Sequence, residues 1–161
     1  MNMEEEDRFS IYKTSLGLIR INYIEGYITG VSFIRGTEPI NIVKGESSII
    51  SDKCISQLEE YFLGKRKKFD IPIILRGTEF QKKVWSSLCN ISYGETRSYK
   101  EIAEDIGNPK ASRAIGMANN RNPIPIIVPC HRVIGTNGEL IGYSGGIDIK
   151  NKLLELEYIN K

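Results

Sequence analysis

"SYKEIAEDIGNPKASRAIGMAN", residues 98–119, is the stretch on which the fold turns. Ser98 and Glu101 make a capping box: the hydroxyl takes an N–H of the first turn and the carboxylate returns to the cap's own N–H. Ile102, Ala103 and Ile106 form an apolar stripe until Gly107 ends the helix, and Asn108-Pro109 turns the chain. A second helix then puts Ala111, Ala114, Ile115 and Ala118 on one face at i, i+3, i+4 and i+7. Two short helices about a tight turn predict a helix-turn-helix. Small residues on the packed face let the second helix lie close to its partner, with Lys110 and Arg113 on the other side. Such a pair is either simple helix packing or a nucleic-acid reader, with Lys110 near phosphates and Arg113 reaching further in.

Upstream, Thr78 and Gln81 repeat the capping box and start a helix carrying Phe80, Val84, Trp85 and Leu88. Before residue 78 the pattern is that of strands. "FSIYKT", "GLIRINYI" and "GYITGVSFI" are rich in β-branched and aromatic residues, Ile19, Ile21 and Tyr23 alternate with Arg20 and Asn22, and Glu25-Gly26 supplies a hairpin turn. Residues 35–50 show no period. "SDKCISQLEEYFLG" then places Ile55, Leu58 and Phe62 on one helical face, stopped by Gly64. The basic run Lys65 to Lys68 is a solvated turn or a phosphate contact, and "DIPIILRG" is extended. The fold class expected is α+β: a small N-terminal antiparallel β-sheet lobe with a helix, residues 1–75, and a mainly helical C-terminal lobe containing the helix-turn-helix, residues 76–161.

Downstream lies "IPIIVPCHRVIG", residues 124–135, an apolar run ending on Cys130, His131 and Arg132. Ile124 to Val128 read as a buried strand that delivers the site. A lone cysteine in such a run is ordinarily core, but His131 is the chain's one histidine, and a thiol, with a free pKa of ~8.5, becomes a nucleophile beside a base or a positive charge. Adjacent strand residues point to opposite faces, so the pair cooperates only across a bend or a water. Pro129 supplies reason for a bend. The base needs an orienting carboxylate. In "DIKNKLLELEYI", Ile149, Leu153, Leu154 and Leu156 mark the apolar side, and Glu157 falls between Leu153 and Leu154 in projection. Glu157 is either that carboxylate or a solvated rim residue. Between them, Gly135, Gly138, Gly142, Gly145 and Gly146 predict a tightly turned loop with accessible amides, able to edge a flat heterocycle with Tyr143 against its face, or else an ordinary pair of turns.

The totals narrow the field. At 161 residues, 40% apolar and 26% charged, the chain can fold without staples. A net charge of +2 requires any nucleic-acid contact to be a local arrangement of basic residues. The acidic opening and the absence of any run of ~18 apolar residues give the expectation of a soluble, cytoplasmic protein with no membrane partner. Three unevenly spaced cysteines, Cys54, Cys89 and Cys130, argue against a disulfide framework and against structural zinc.

Together "FQKKVW", "YGETRSYKEIA", "GNPKASRAIGMANNRNPIPIIVPCHRVIG" and "GYSGGIDIKNKLLELE", in this order and spacing, resemble the DNA-repair alkyltransferases that take alkyl groups from O6 of guanine. The match covers residues 78–158; the earlier part is similar only in kind. The resemblance implies that Cys130 is the alkyl acceptor, that His131 is its base through a water, and that Glu157 holds the other ring nitrogen. It implies that Asn122 fixes the active-site turn, that Tyr99 crowds the target phosphate and helps protonate the leaving guanine, and that Arg113 replaces the extruded nucleotide. Lys110 and Ala114 join Tyr99 and Arg113 on the DNA side. Val133, Tyr143 and Ser144 belong to the base pocket. No cofactor or metal is implied. The partner is double-stranded DNA containing O6-alkylguanine, met in the minor groove with the base flipped, by a monomer. Asn119 departs from relatives with an apolar residue at that position. Three functions are thus in view: a single-turnover alkyl transfer to cysteine, with O4 of thymine as a second source of the alkyl group; a non-catalytic binder of alkylated DNA, a class that lacks the acceptor cysteine; and a cysteine hydrolase, which would turn over repeatedly.

Overall fold

The computed structural model describes residues 6–35 and 45–161; the start of the acidic opening and most of the aperiodic stretch lie outside them. The chain divides into two compact units, Met1–Leu75 and Arg76–Lys161. In the first, β1 (Arg8–Thr14), β2 (Gly17–Ile24) and β3 (Tyr27–Ile34) form an antiparallel sheet in the order β1-β2-β3. Alternation decides its faces: Ile19, Ile21 and Tyr23 are buried, while Arg20 stacks over the Phe9 ring at 4.0 Å and donates to Asn22 on the same side. Helix α1 (Ile49–Phe62) is started by a Ser48–Ser51 capping box and packs against the sheet through Cys54, Leu58 and Tyr61. The buried face thus runs through Tyr61, and Phe62, expected there, is half-buried. The reason is geometric, since 54, 58 and 61 align at i, i+4 and i+7.

The segment before residue 75 is extended. Ile28 N–H donates to Pro72 O at 2.9 Å and Ile74 N–H to Ile28 O at 3.0 Å, a parallel bridge alongside β3. Buried Gln57 staples the helix to it, with its carbonyl accepting from Asp70 N–H at 2.9 Å. In the basic run, Arg66 folds back to donate to Lys68 O and pairs with Glu60 at 3.5 Å, and the three lysines are exposed.

The second unit holds α2 (Glu79–Leu88), α3 (Tyr99–Asp105), α4 (Ser112–Asn120) and α5 (Ile147–Asn160), with a two-residue parallel pairing of β4 (Arg97–Ser98) and β5 (Val133–Ile134). The capping boxes at Thr78 and Ser98 are both closed. Helix α3 ends at Gly107, whose φ of +78° suits glycine, and α4 follows to complete the helix-turn-helix. The stripe on α4 differs from the expected one: Ile115 and Ala118 are buried, Ala111 precedes the helix, and Ala114 is exposed. Asn119 takes the remaining inward place. Trp85 Nε1–H donates to Ala118 O at 2.9 Å and ties α2 to α4. Replacing Trp85 by Phe removes that bond and part of the ring, so we expect a loss of about 1–2 kcal/mol in denaturant unfolding; an unchanged midpoint would deny the bond any role. Among the described residues no helix is long and apolar enough to cross a membrane.

Candidate active site

The stretch from Ile124 to Val128 is not a strand. It is a buried turn in which Val128 N–H reaches Ile124 O at 2.9 Å and Ile126 holds a φ of +74°. Pro123 and Pro125 lack ladder donors, and Asn122 supplies what a ladder would have: its Nδ2 donates to Val128 O at 2.8 Å and its Oδ1 accepts from Ile124 N–H at 3.0 Å. A β-branched residue in the left-handed region is strained; here Ile124, Ile126 and Val128 are almost wholly buried, and the packing over-determines it. The chain emerges at Pro129 into one 3-10 turn, Cys130–Arg132. That turn is the bend that brings the three side chains out of strand alternation.

Each of the three is buried. Cys130 is 1% exposed, His131 0% and Arg132 7%. His131 Nε2 lies 2.7 Å from Glu157 Oε2. Arg132 grips the same carboxylate in two places, Nε to Oε1 at 2.8 Å and Nη2 to Oε2 at 3.0 Å, while its Nη1 donates to Ile91 O at 2.6 Å. Gly94 N–H completes the set on Oε1 at 3.1 Å. A fully buried carboxylate is tolerable only with such partners. Burial lowers the pKa of His131, against the opposing pull of Glu157, so the imidazole is neutral at pH 7. With Nε2 donating to Glu157, its Nδ1 is the basic nitrogen.

Burial likewise pushes the Cys130 thiol up to about 11, offset in part by the Asn122 side chain and the charge of Lys150. The resting cysteine is therefore a thiol, and its reaction requires a base. Lys150 is itself fully buried and donates from Nζ to Val133 O at 2.6 Å and Ile141 O at 3.0 Å. Its burial pulls the ammonium down to about 8. It thereby ties Val133, just ahead of the glycine-rich loop, to Ile141 within it, and Tyr99 Oη donates to the same Ile141 carbonyl at 3.0 Å. Tyr143 is 8% exposed and close enough to Cys130 for the thiolate charge to raise its pKa further, after burial. Val133 is buried and Ser144 exposed. Lys110, Arg113 and Ala114 are all exposed, at and just before the start of α4.

Sequence reasoning overlooked Arg132 and Lys150. A signal existed for each. Arg132 adjoins the one histidine, and any buried carboxylate there needs a cation. Lys150, Leu153 and Glu157 share a face at i, i+3 and i+7, yet a lysine on that face reads as an interruption unless its acceptors are known. Among the described residues no three of His, Cys, Asp and Glu gather as a metal ion would require.

A buried thiol next in sequence to a buried imidazole–carboxylate pair, within a unit that also carries a helix-turn-helix, is an arrangement suited to nucleophilic cysteine chemistry. Comparison with known proteins supplies the family. Residues 79–159 match the family described as 6-O-methylguanine DNA methyltransferase, DNA binding domain, and residues 8–75 match its ribonuclease-like domain. The methylated-DNA–protein-cysteine methyltransferase of Methanosarcina acetivorans is 51% identical over 151 residues, which are 92% of this chain and 97% of that protein. Its Mycobacterium leprae namesake is 61% identical over 105 residues, 65% of this chain and 64% of that one. The crystal structure of Mycobacterium tuberculosis OGT in complex with DNA superposes with a TM-score of 0.85 at 43% identity, covering 94% of this chain and 93% of that one. The chain belongs to the 6-O-methylguanine DNA methyltransferase family.

Proposed function

We propose that this protein repairs DNA by moving an alkyl group from O6 of guanine to the sulfur of Cys130, once per molecule. The transfer of alkyl groups from DNA to a protein cysteine, and DNA as the partner, follow from the family; the residue roles are our reading. The observation that carries it is the buried His131–Glu157 pair, with the carboxylate 2.7 Å from the imidazole, directly after the buried Cys130 in the same 3-10 turn. In the step, Cys130 Sγ forms a bond to the alkyl carbon as the carbon–O6 bond breaks. The thiol proton passes to His131 through a water, and the guanine leaves with the electron pair. Tyr99 helps protonate it. The product is a thioether, which has no hydrolytic route back to thiol.

The lobe 76–161 carries both transfer and DNA contact in this reading. Arg113, with Lys110, Ala114 and Tyr99, meets the minor groove of the duplex as a monomer, and Arg113 fills the space of the flipped nucleotide. Val133, Tyr143 and the Ser144 amide receive the base. Asn122 holds the turn that presents the thiol. O4-alkylthymine is a second substrate in this reading wherever the pocket admits a pyrimidine.

Labelled methyl groups on O6-methylguanine DNA are expected to move to protein at no more than one per molecule. Continued turnover would sink the single-use mechanism. Arg113→Ala is expected to slow repair of duplex far more than reaction with a free O6-alkylguanine base; equal losses would contradict base flipping. The pH profile has a definite sign. Proton transfer from thiol to His131 conserves the proton count, so the wild-type rate is expected to be flat from about pH 6.5 to about 7.5 and to fall once His131 is protonated, at a pH below its ordinary 6.5. In His131→Gln the reactive species is the free thiolate of a thiol near 11, and the rate climbs about tenfold per pH unit. Parallel profiles for both proteins would remove His131 from the role of base.

A further inference from the structure

The C-terminal half of α4 meets two residues of the site. The Tyr99 ring lies over Gly116, where a methyl group would stand 3.9 Å from its Cε1. One turn further on, Asn119 is 2% exposed and its Nδ2–H donates to the Cys130 carbonyl at 3.2 Å. That carbonyl can only accept, so the carboxamide is fixed with its nitrogen toward the reactive turn, and the nitrogen has a second hydrogen to give. The Tyr99 phenol is close by: Oη donates to Ile141 O at 3.0 Å, and its pKa, raised by burial and by the charge of Cys130, is lowered by a hydrogen bond with the Asn119 side chain, the sign expected when an amide N–H faces the phenol oxygen. One carboxamide thus touches both the residue that attacks and the residue read as protonating the departing base.

The fold alone does not call for an amide here. The Cys130 carbonyl already accepts from Val133 N–H, and the turn is held by Asn122 and Arg132. The N–H facing Tyr99 acts differently on the two states of that residue, because a phenolate oxygen is a far stronger acceptor than a phenol oxygen. In the transfer the electron pair of the carbon–O6 bond stays with the guanine. The Tyr99 hydroxyl turns from Ile141 to the base and gives its proton to a ring nitrogen; the negative charge comes to rest on Oη until solvent restores the proton. We infer that Asn119 is a positioning residue for the transfer: its carboxamide, anchored on the Cys130 main chain, holds Tyr99 as the acid for the departing guanine.

This rests on the proposed alkyl transfer, and the test separates the two. Single-turnover transfer from O6-methylguanine duplex is measured over a range of protein concentrations for wild type, Asn119→Leu, Tyr99→Phe and the double variant. Asn119→Leu is expected to lower the saturating rate roughly fivefold, the size of one neutral hydrogen bond, and to leave the half-saturating concentration within about twofold of wild type. In the Tyr99→Phe background the same change is expected to cost less than about twofold, because the group it serves is gone. Asn119→Ala is carried through the same cycle, so that a fold disturbed by leucine does not decide the outcome. Losses that multiply, equal with and without the Tyr99 hydroxyl for both Asn119 variants, make Asn119 a structural residue and overturn the inference alone. A Tyr99→Phe variant as fast as wild type overturns it together with the reading of Tyr99 as the acid. Should wild type transfer no methyl group, the proposed function fails and the inference with it.

Discussion

Cys130→Ala is expected to abolish alkyl transfer while leaving affinity for duplex DNA within a few-fold of wild type. The side chain lost is small and the turn around it is held by others: Asn122 bridges Ile124 and Val128, and Arg132 is anchored on Glu157 and Ile91. The residues proposed to meet DNA, Lys110, Arg113 and Ala114, are exposed at the start of α4 and take no part in that network. Nor does another thiol stand ready. Burial pushes Cys54, in the sheet-bearing unit, to about 12, and Cys89, although exposed, has its pKa raised by desolvation despite the charge of Arg132. Labelled O6-methylguanine duplex and a gel-shift titration on the same preparation check both halves. Label appearing on the variant at the wild-type rate would move the acceptor to Cys54 or Cys89.

Glu157→Gln is expected to do the reverse damage, to stability as well as to rate. Both carboxylate oxygens are committed, Oε1 to Arg132 Nε and Gly94 N, Oε2 to His131 Nε2 and Arg132 Nη2. Glutamine matches the shape, but whichever way its amide is turned the NH2 meets donors, and the Arg132 guanidinium loses its counter-charge inside the protein. Breaking a buried pair from one side costs about 3–5 kcal/mol, which for a unit of this size corresponds to a fall in thermal midpoint of roughly 10 °C or more. Transfer is expected to slow by about 100-fold or more, because the imidazole loses the partner that fixes its proton on Nε2. Thermal unfolding and single-turnover kinetics at a temperature where the variant remains folded read the two effects separately. A variant as stable as wild type would mean that Arg132 finds other compensation. One that is unstable but equally fast would leave Glu157 a structural anchor only.

The contrast between these two variants follows the line between what was legible in the sequence and what was not. The helix-turn-helix, the capping boxes at Thr78 and Ser98 and the sheet alternation of Ile19, Ile21 and Tyr23 could be read because each depends on residues within a few positions of one another. Glycine at 26 and 107 marked turns for the same reason, a local need for positive φ. The run Ile124–Val128 misled because apolar, β-branched composition reports burial, and burial is common to a strand and to a packed turn. Only the hydrogen bonds of Asn122 distinguish them.

The amino-acid sequence by itself determined the local elements, the α+β class and the presence of a thiol next to the one imidazole. The tertiary structure decided which side chains those two answer to. Glu157 is held by groups 25, 26 and 63 positions away, at Arg132, His131 and Gly94, and Lys150 reaches a carbonyl 17 positions away. No periodicity encodes such pairs. A charged side chain is buried only where distant groups supply its hydrogen bonds and counter-charge, so the fate of Glu157, Arg132 and Lys150 is settled when the helices pack and not before.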